Sequence, residues 1–228
     1  MNFSELRERV CEANRKIGAT GLAPLTWGNA SAFDRERAVM AIKPSGVPYD
    51  RLTPESIVLV NMDGSVFEGD LKPSSDSATH LVLYRAFPSV NGIIHTHSKG
   101  ATIWAQACRE IPCLGTTHAD HFRGPIPVTR DLTDEEIAGD YVGNTGRVIV
   151  AAASDPDGIP AVLVARHAPF AWGASVEGAL ENAIALERIA EMALSTLSLA
   201  PDLTPMPEAL LRKHFERKHG ARATYGQG

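Results

Sequence analysis

The clearest candidates for catalytic or metal-binding residues in this sequence are histidines. His95 and His97 lie two positions apart in the segment NGIIHTH, whose β-branched residues predict a strand. Side chains two apart on a strand share one face and lie ~7 Å apart at Cα, so both imidazoles could bind one metal ion. Two histidines that only form hydrogen bonds near a sheet edge are the alternative at this point.

Two further residues could complete such a site. His167 follows the predicted strand VLVAR, just before a turn that contains proline, and Asp76 stands at the N-terminus of a predicted helix. Three neutral imidazoles leave the charge of an ion almost undiminished and one coordination position open, which is typical of catalytic metal sites. A hydrogen bond from His167 to a backbone carbonyl and a helix cap by Asp76 are the simpler interpretations.

Three short polar segments have the composition of anion-binding turns. They are Trp27-Gly28-Asn29, Lys43-Pro44-Ser45-Gly46 and Lys72-Pro73-Ser74-Ser75. Glycine lets a backbone approach a phosphate closely, lysine supplies positive charge, and serines at a helix start place N–H groups towards a ligand. Each segment alone is more often a turn or a cap, and since no Walker or Rossmann pattern is present, the sequence does not indicate a nucleotide.

Candidate proton-transfer groups lie in two other segments. Asp120 follows His118 in GTTHADHF, a segment with little periodicity in which a loop could hold a catalytic carboxylate. Tyr225 lies in ATYGQG, beyond the last predicted helix, and would have to reach a site such as one on a neighbouring subunit. A solvated loop aspartate and a frayed tail are the alternatives.

The whole chain has the composition of a globular protein without nucleic-acid or membrane partners. Its 228 residues are 44% hydrophobic and 21% charged, which suits one domain. No segment approaches the ~20 apolar residues of a membrane span, and the start, MNFSELRERV, is charged, so we expect a cytoplasmic protein. The net charge of −5 argues against nucleic-acid binding, and three cysteines without CxxC spacing indicate neither disulfides nor a zinc-thiolate site.

Hydrophobic periodicity predicts a sheet covered by helices. Strands are predicted at NASAFD, at VMAIKP, in IVLVNMDGSVFEGD, where Asp63-Gly64 indicates a hairpin, at NGIIHTH and in PAVLVARHAPFAWG. Helices are predicted at residues 4–17, with Ser4 as the cap, and at 74–86, 101–110, 131–138, 175–198 and 206–220. Because no repeat or linker interrupts the chain, residues 1–228 are predicted to form a single α/β domain with a mixed sheet.

Several of these segments together resemble the L-ribulose-5-phosphate 4-epimerases of the class II aldolase and epimerase superfamily. They are, in chain order, TWGNASAFD, IKPSGV, KPSSDSATH, HTHSKGATIWAQA, GTTHADHF, HAPFAWG and RKHGARATYGQ. The resemblance runs from the first helix to the last glutamine. It implies three α/β/α layers around a mixed, largely antiparallel sheet, and a homotetramer with active sites between its subunits.

The resemblance also implies a metal site and a phosphate site. His95, His97 and His167 would bind Zn²⁺, or another divalent ion such as Mn²⁺ or Co²⁺, with Asp76 beside the ion. The positions that match the family's phosphate-holding residues are Asn29, Lys43, Ser45, Gly46, Ser74 and Ser75. The implied ligand is therefore a small phosphorylated ketose.

Four further residues match positions with a role in the family's reaction. Asp120 and Tyr225 would be the acid and base pair, with the tyrosine coming from an adjacent subunit, and His214 and Arg217 match active-site positions near the subunit boundary. The implied reaction is the epimerisation of L-ribulose 5-phosphate to D-xylulose 5-phosphate at carbon 4, by reversible cleavage of a carbon–carbon bond.

Two other functions remain open on the same fold. A class II aldolase of the L-fuculose- or L-rhamnulose-phosphate type would use the same metal site, but the related aldolases carry a catalytic glutamate where this chain has Asp76, which favours the epimerase. A non-catalytic interaction domain that resembles adducin would have lost the metal ligands, whereas this chain keeps its histidines. The chain departs from the epimerases at Val142, where a glutamate is common, and at His121, where a tyrosine is common.

Overall fold

A computed structural model describes residues 2–220 and 223–224. In them one sheet contains seven strands: β1 (Asn29–Asp34), β2 (Val39–Ile42), β3 (Val58–Asn61), β4 (Val66–Glu68), β5 (Gly92–His95), β6 (Ala161–Leu163) and β7 (Pro169–Gly173). The order across the sheet is β4-β3-β2-β1-β5-β7-β6, and these neighbours pair antiparallel. An isolated bridge between Val128 and Leu163 adds a parallel component. The prediction of a largely antiparallel sheet is confirmed.

Helices cover both faces of this sheet. Within the described ranges they are α1 (Phe3–Ala19), α2 (Ser77–Ala86), α3 (Lys99–Gln106), α4 (Thr116–Ala119), α5 (Asp134–Ala138), α6 (Tyr141–Ala152), α7 (Val176–Leu199) and α8 (Glu208–His219). Helices α1, α3 and α7 form a core on one face of the sheet, and α2 and α6 form a core on the other. The implied three layers are therefore confirmed. None of the described helices is both long and apolar enough to cross a membrane.

The strands separate the two cores because successive side chains point to opposite faces. In β2, Val39 and Ala41 join the core of α1, α3 and α7, while Met40 and Ile42 join the core of α2 and α6. All four residues are buried, and burying a side chain such as Ile42 contributes about 1.5–3 kcal/mol. A strand covered on both faces is apolar along its whole length, which explains the unbroken run VMAI.

The cap of the first helix differs from the prediction. Asn2, and not Ser4, is the cap: the N–H of Glu5 donates to Asn2 Oδ1 at 2.8 Å, and the N–H of Asn2 donates to Glu5 Oε2 at 3.1 Å. Ser4 lies inside the first turn, where its hydroxyl donates to Glu8. The prediction is wrong because a reciprocal capping box satisfies two backbone N–H groups, whereas Ser4 would satisfy one.

Strand β5 ends at His95, so the prediction that His97 lies inside the strand is also wrong. Beyond His95, neither neighbouring strand continues its regular pairing with β5. On one side, Gly28 precedes β1 with a φ of +85°, which is not a strand conformation. On the other side, Pro169 begins β7 and has no N–H with which to continue the ladder. His97 therefore lies in the connection from β5 to α3.

Helices α2 and α6 are among those that differ from the prediction. Helix α2 begins at Ser77 and not at Ser74, because the N–H of Ser74 donates to the carbonyl of Lys43 at 2.9 Å and joins a neighbouring turn. Helix α6 is absent from the sequence-based prediction, since glycines interrupt its apolar periodicity. The structure explains one of them: a Cβ at Gly146 would lie 2.7 Å from the side chain of Val82 in α2.

Candidate active site

Three imidazoles meet at one end of the central strands. His95 ends β5, His97 lies between β5 and α3, and His167 lies in the turn between β6 and β7. The ring centroids lie 5.0 Å apart for His95 and His97, 5.0 Å for His97 and His167, and 5.1 Å for His95 and His167. Their candidate ligand nitrogens all lie within 4.8 Å of one another. The structure thus brings the three predicted histidines together.

The free nitrogens of these rings are placed to bind an ion. His95 Nδ1 donates to the carbonyl of Pro169 at 3.0 Å, which fixes the ring and leaves Nε2 with a lone pair. That Nε2 lies 4.0 Å from Asp76 Oδ2. The Nδ1 atom of His167 is buried and has no hydrogen-bond partner among the described residues, so the interpretation of a bond from this atom to a backbone carbonyl does not hold. Such a donor set fits a metal ion.

Burial keeps the imidazoles in the neutral form that coordinates metals. It lowers the pKa of His95 to about 3, and it lowers the pKa of His97 and of His167 below the usual value. Burial opposes ionisation of the Asp76 carboxyl, but the neighbouring histidines and the amide of Asn29 favour the carboxylate, and the pKa of Asp76 is lowered. Three nitrogens beside one carboxylate suit zinc, manganese or cobalt.

Asn29 connects Asp76 to the sheet. It is the first residue of β1, and its Nδ2 donates to Asp76 Oδ2 at 2.7 Å and to Ser74 Oγ at 3.0 Å. Asp76 occupies the cap position of α2, but its side chain makes no capping hydrogen bond. The interpretation of Asp76 as a helix cap therefore does not hold, because the carboxylate turns towards Asn29 and the histidines instead.

The three histidines line a cavity of about 640 Å³, and a buried cationic side chain lies in the wall of the same cavity. The cation is Lys43, which is 2% exposed. Among the described residues its Nζ reaches only the carbonyl of Pro44, at 3.3 Å, and lies 5.1 Å from the ring centroid of Tyr49. Burial lowers the pKa of Lys43 to about 8. A buried ammonium group without a carboxylate partner is a natural site for an anionic ligand.

Two of the predicted anion-binding segments form one surface in this cavity. The N–H of Ser45 donates to the carbonyl of Lys72, and the N–H of Ser74 donates to the carbonyl of Lys43, both at 2.9 Å. Pro44 and Pro73 form a bridge between the same two segments. The predicted phosphate-binding residues that line the cavity are Asn29, Lys43, Ser45, Gly46, Ser74 and Ser75.

Residues 8–194 match the family model of the class II aldolase and adducin N-terminal domain. The chain belongs to this family. Its fold is similar to that of an L-fuculose 1-phosphate aldolase, with 24% identity, a TM-score of 0.80 and coverage of 93% of this chain and 95% of that chain. An aldolase II superfamily protein from Pseudomonas syringae shares 18% identity, with a TM-score of 0.77 and coverage of 94% and 84%. The L-fuculose 1-phosphate aldolase from Glaciozyma antarctica shares 20% identity, with a TM-score of 0.76 and coverage of 96% and 84%.

In this class II aldolase family member, Asp120 lies in a second polar cluster. It follows α4 and accepts hydrogen bonds from His214 Nδ1 at 3.0 Å and from Arg217 Nη2 at 2.8 Å, both on α8. Burial alone would raise the pKa of the Asp120 carboxyl, but Arg217 and His214 lower it. The described residues that line the histidine cavity include none of these three. Within one subunit, the structure brings Asp120, His214 and Arg217 together but does not bring them into the histidine cavity.

The remaining predicted site residue, Tyr225, lies outside the described residues. The last described residue before it is Thr224, whose N–H donates to the carbonyl of Arg217 at 2.9 Å. Thr224 therefore contacts the last turns of α8.

The two departures from the epimerase pattern have separate structural settings. Asp140, which could have replaced the acidic group missing at Val142, accepts the N–H of Gly143 at 3.1 Å and lies 3.3 Å from Arg147. It caps α6 and does not line the histidine cavity. His121 lines another cavity of about 430 Å³. Neither departure changes the described walls of the histidine cavity.

Two residues that shape the site, Tyr49 and Phe170, have no signal in the sequence that would predict their role. The hydroxyl of Tyr49 lies 2.7 Å from the carbonyl of Trp27 and 3.0 Å from that of Gly28, and a hydrogen bond shared between them holds this turn. The ring of Phe170 stacks on His95 with a centroid distance of 4.2 Å. Neither residue lies in a polar motif. Phe170 could have been found only from the strand register, because it pairs with His95 across β5 and β7.

Proposed function

We propose that this protein is a divalent-metal enzyme that converts L-ribulose 5-phosphate to D-xylulose 5-phosphate by inverting carbon 4. The observation that carries the proposal is that one cavity contains three neutral imidazoles and a buried lysine that has no carboxylate partner among the described residues. A phosphorylated ketose has keto and hydroxyl oxygens at one end, which suit a metal ion, and a phosphate at the other, which suits the lysine. Zn²⁺ is the proposed ion, and Mn²⁺ or Co²⁺ would suit the same ligands.

The phosphate would bind at the two joined turns. Lys43 supplies the positive charge that a phosphate dianion needs in a buried position. Ser45, Gly46 and Ser75 line the same cavity, and the serine hydroxyls and the backbone of Gly46 would supply hydrogen bonds. Asn29 joins this wall to the metal side of the cavity through its contacts with Ser74 and Asp76.

The ion would be held by His95, His97 and His167, with Asp76 beside it. A divalent ion at this position would supply Lewis-acid stabilisation of the negative charge that develops when the bond between carbons 3 and 4 breaks. The hydrogen bond from His95 to Pro169 keeps that ring oriented before any ligand binds, so little reorganisation is needed.

The proposed reaction is a cleavage followed by re-addition. A base removes the proton of the hydroxyl on carbon 4, the bond between carbons 3 and 4 breaks, and its electron pair remains on the enediolate of dihydroxyacetone. The other fragment, glycolaldehyde phosphate, stays bound through Lys43 while its aldehyde turns. Carbon 3 then attacks the opposite face of the aldehyde, and the new alkoxide takes up a proton. Inversion needs a proton-transfer group on each face, and we assign these roles to Asp120 and Tyr225.

These two groups would reach the cavity from a neighbouring subunit of a homotetramer. Asp120 is bound to His214 and Arg217 of α8 and lies outside the histidine cavity of its own subunit. Helix α8 also lies beyond residues 8–194, the part that matches the family model. The proposal therefore combines a metal and phosphate cavity from one subunit with an acid and base from the next.

The second candidate function is a class II sugar-phosphate aldolase. It is favoured by the likeness in fold to L-fuculose 1-phosphate aldolase, with a TM-score of 0.80. Against it stands Asp76, which is one methylene shorter than a glutamate and is held at 2.7 Å by Asn29. Incubation with L-ribulose 5-phosphate separates the two: an epimerase gives D-xylulose 5-phosphate, whereas an aldolase gives free two- and three-carbon products. A non-catalytic adducin-like domain would convert nothing.

Replacement of the proposed tail base tests the mechanism. We predict that Tyr225→Phe lowers kcat by about 10²–10⁴-fold, the usual contribution of a proton-transfer group, while the Kd for inorganic phosphate stays unchanged. Tyr141→Phe, at an exposed tyrosine of α6, is the matched control and should keep the parent rate. A parent-like kcat in the Tyr225 variant would remove this residue from the mechanism.

A further inference from the structure

Trp27 is a large aromatic residue with no role in the proposed reaction so far. It lines the same cavity as the histidines and Lys43, and its ring centroid lies 6.1 Å from that of His97. Its side chain nevertheless remains 51% exposed. An indole is usually buried against other apolar groups, so an exposed one on the wall of a polar cavity offers a contact surface to a ligand.

The turn that carries Trp27 is fixed relative to the metal-binding histidines. The hydroxyl of the buried Tyr49 holds the carbonyls of Trp27 and Gly28. The N–H of Trp27 donates to the carbonyl of Pro24 at 3.2 Å. Gly28 packs so closely on the backbone of His95 that a Cβ there would clash with its carbonyl oxygen. The indole is therefore carried by a turn that several contacts hold in place next to His95 and His97.

The proposed reaction creates a need for such a surface. After cleavage, one end of glycolaldehyde phosphate is held by charge, but its aldehyde end is neutral and must turn before carbon 3 attacks its other face. A directed hydrogen bond would favour one orientation of the aldehyde. An apolar aromatic wall attracts without direction, so it can retain the fragment and exclude water while leaving both orientations accessible.

We propose that Trp27 retains the cleaved aldehyde fragment in the cavity and thereby sets the ratio of epimerisation to fragment release. This inference rests on the proposed epimerase function and assigns a residue to the step that separates an epimerase from an aldolase. The phosphate site holds one end of the fragment, and Trp27 limits the escape of the other.

The test compares Trp27→Ala and Trp27→Phe with the parent tetramer loaded with Zn²⁺. L-ribulose 5-phosphate is supplied, D-xylulose 5-phosphate is measured as the product of inversion, and released dihydroxyacetone is followed with an NADH-dependent reductase. We expect Trp27→Ala to raise the ratio of release to inversion by about tenfold, which corresponds to a loss of about 1.4 kcal/mol of contact with the fragment. Trp27→Phe, which keeps an aromatic face, should give an intermediate ratio.

Leu25→Ala is the matched control. Leu25 belongs to the same segment and is 74% exposed, but it does not line the cavity. It should keep the parent ratio. The Kd for inorganic phosphate should be the same in all variants, because the inference concerns the aldehyde end only.

Two results would overturn the inference in distinguishable ways. If the parent inverts carbon 4 and Trp27→Ala does so with the parent ratio of release to inversion, Trp27 has no retaining role and the epimerase function stands. A change of oligomeric state in Trp27→Ala at the parent ratio has the same meaning, because Trp27 then serves subunit contact. If the parent releases free fragments without inversion, or converts nothing, the proposed function fails and the inference fails with it.

Discussion

At the level of single residues, burial lowers the pKa of both His95 and Lys43, but only His95 becomes neutral at pH 7. It lowers the pKa of His95 to about 3, so the ring is neutral and ready to coordinate an ion at pH 7. It lowers the pKa of Lys43 only to about 8, so the ammonium is still mostly charged at pH 7 although no carboxylate in the described part of the chain pairs with it. The site thus contains a cation that is unfavourable for folding and useful for binding an anion.

Replacement of Lys43 by methionine should therefore stabilise the protein without ligand. The folded-state pKa of about 8 lies below the ordinary value of 10.5, so folding disfavours the charged form. The unfavourable contribution is full below pH 8 and disappears as the pH rises through 10.5. We predict that Lys43→Met raises the melting temperature at pH 7 by at least about 2 °C, the shift expected for roughly 1 kcal/mol in a domain of this size. The gain should shrink between pH 8 and pH 10.5.

Lys43→Met should also bind inorganic phosphate roughly 10- to 100-fold more weakly than the parent, because a charge-assisted hydrogen bond contributes about 1.5–3 kcal/mol. Lys72→Met is the matched control: Lys72 lies in the neighbouring turn but is exposed, so its loss should leave stability within about 0.5 kcal/mol. A Lys43→Met protein that is less stable than the parent at pH 7 would show that the ammonium already has a stabilising partner.

The residues of the metal cluster could be predicted from the sequence because their types indicate their chemistry. His95, His97 and His167 have few uses that suit their positions, and a resemblance to known motifs selects among them. Tyr49 and Phe170 could not be predicted, since an aromatic residue in an apolar segment is ordinary. Their roles depend on which backbone atoms and which strand lie opposite, which only the fold determines.

At the level of elements, the ends of two central strands position the site. The strands β1 and β5 pair at Asn29 and His95, and both end their regular pairing there. Gly28 is required at this point for two reasons: its φ is +85°, and a side chain would clash with the carbonyl of His95. The end of the ladder frees His97 to turn towards His167, which explains why reading HTH as one continuous strand was wrong although both histidines belong to the site.

A Gly28→Ala variant should therefore damage the site more than alanine normally does when it replaces a glycine with a positive φ. Gly21→Ala is the matched control, because Gly21 has a φ of +73° but no described residue lies within 4 Å of an added Cβ. The control should lose about 1–2 kcal/mol of unfolding free energy from backbone strain alone. Gly28→Ala should lose more than the control and should also bind Zn²⁺ more weakly. Equal losses and equal zinc affinity in the two variants would show that the packing of Gly28 on His95 is unimportant.

At the level of the whole molecule, the active site is proposed to be divided between subunits. Each chain contains both a histidine cavity and an Asp120 cluster, but within the described residues of one chain the two do not meet. Spacing along the chain could not reveal this division, because it does not tell which residues meet within one subunit and which meet across a boundary. Only the resemblance to the epimerases implied sites between subunits.

Mixed tetramers test the division directly. His97→Asn should inactivate the cavity of its own subunit, and Asp120→Asn should inactivate the acid group that its subunit supplies to a neighbour. Each variant alone should be inactive. After unfolding and refolding of an equal mixture, about a quarter of the sites should combine an intact cavity with an intact Asp120, so about a quarter of the parent activity should return. No recovery, despite formation of mixed tetramers, would place both groups in a site within one subunit.

The most direct measurement is turnover of L-ribulose 5-phosphate by the same preparation before and after removal of its metal. The zinc content per subunit is measured beside the formation of D-xylulose 5-phosphate. We predict one ion per subunit, conversion only with the ion present, and recovery of the rate when Zn²⁺, Mn²⁺ or Co²⁺ is restored. Full conversion by metal-free protein, or a metal-loaded protein that forms no D-xylulose 5-phosphate, would contradict a metal-dependent epimerisation at the three histidines.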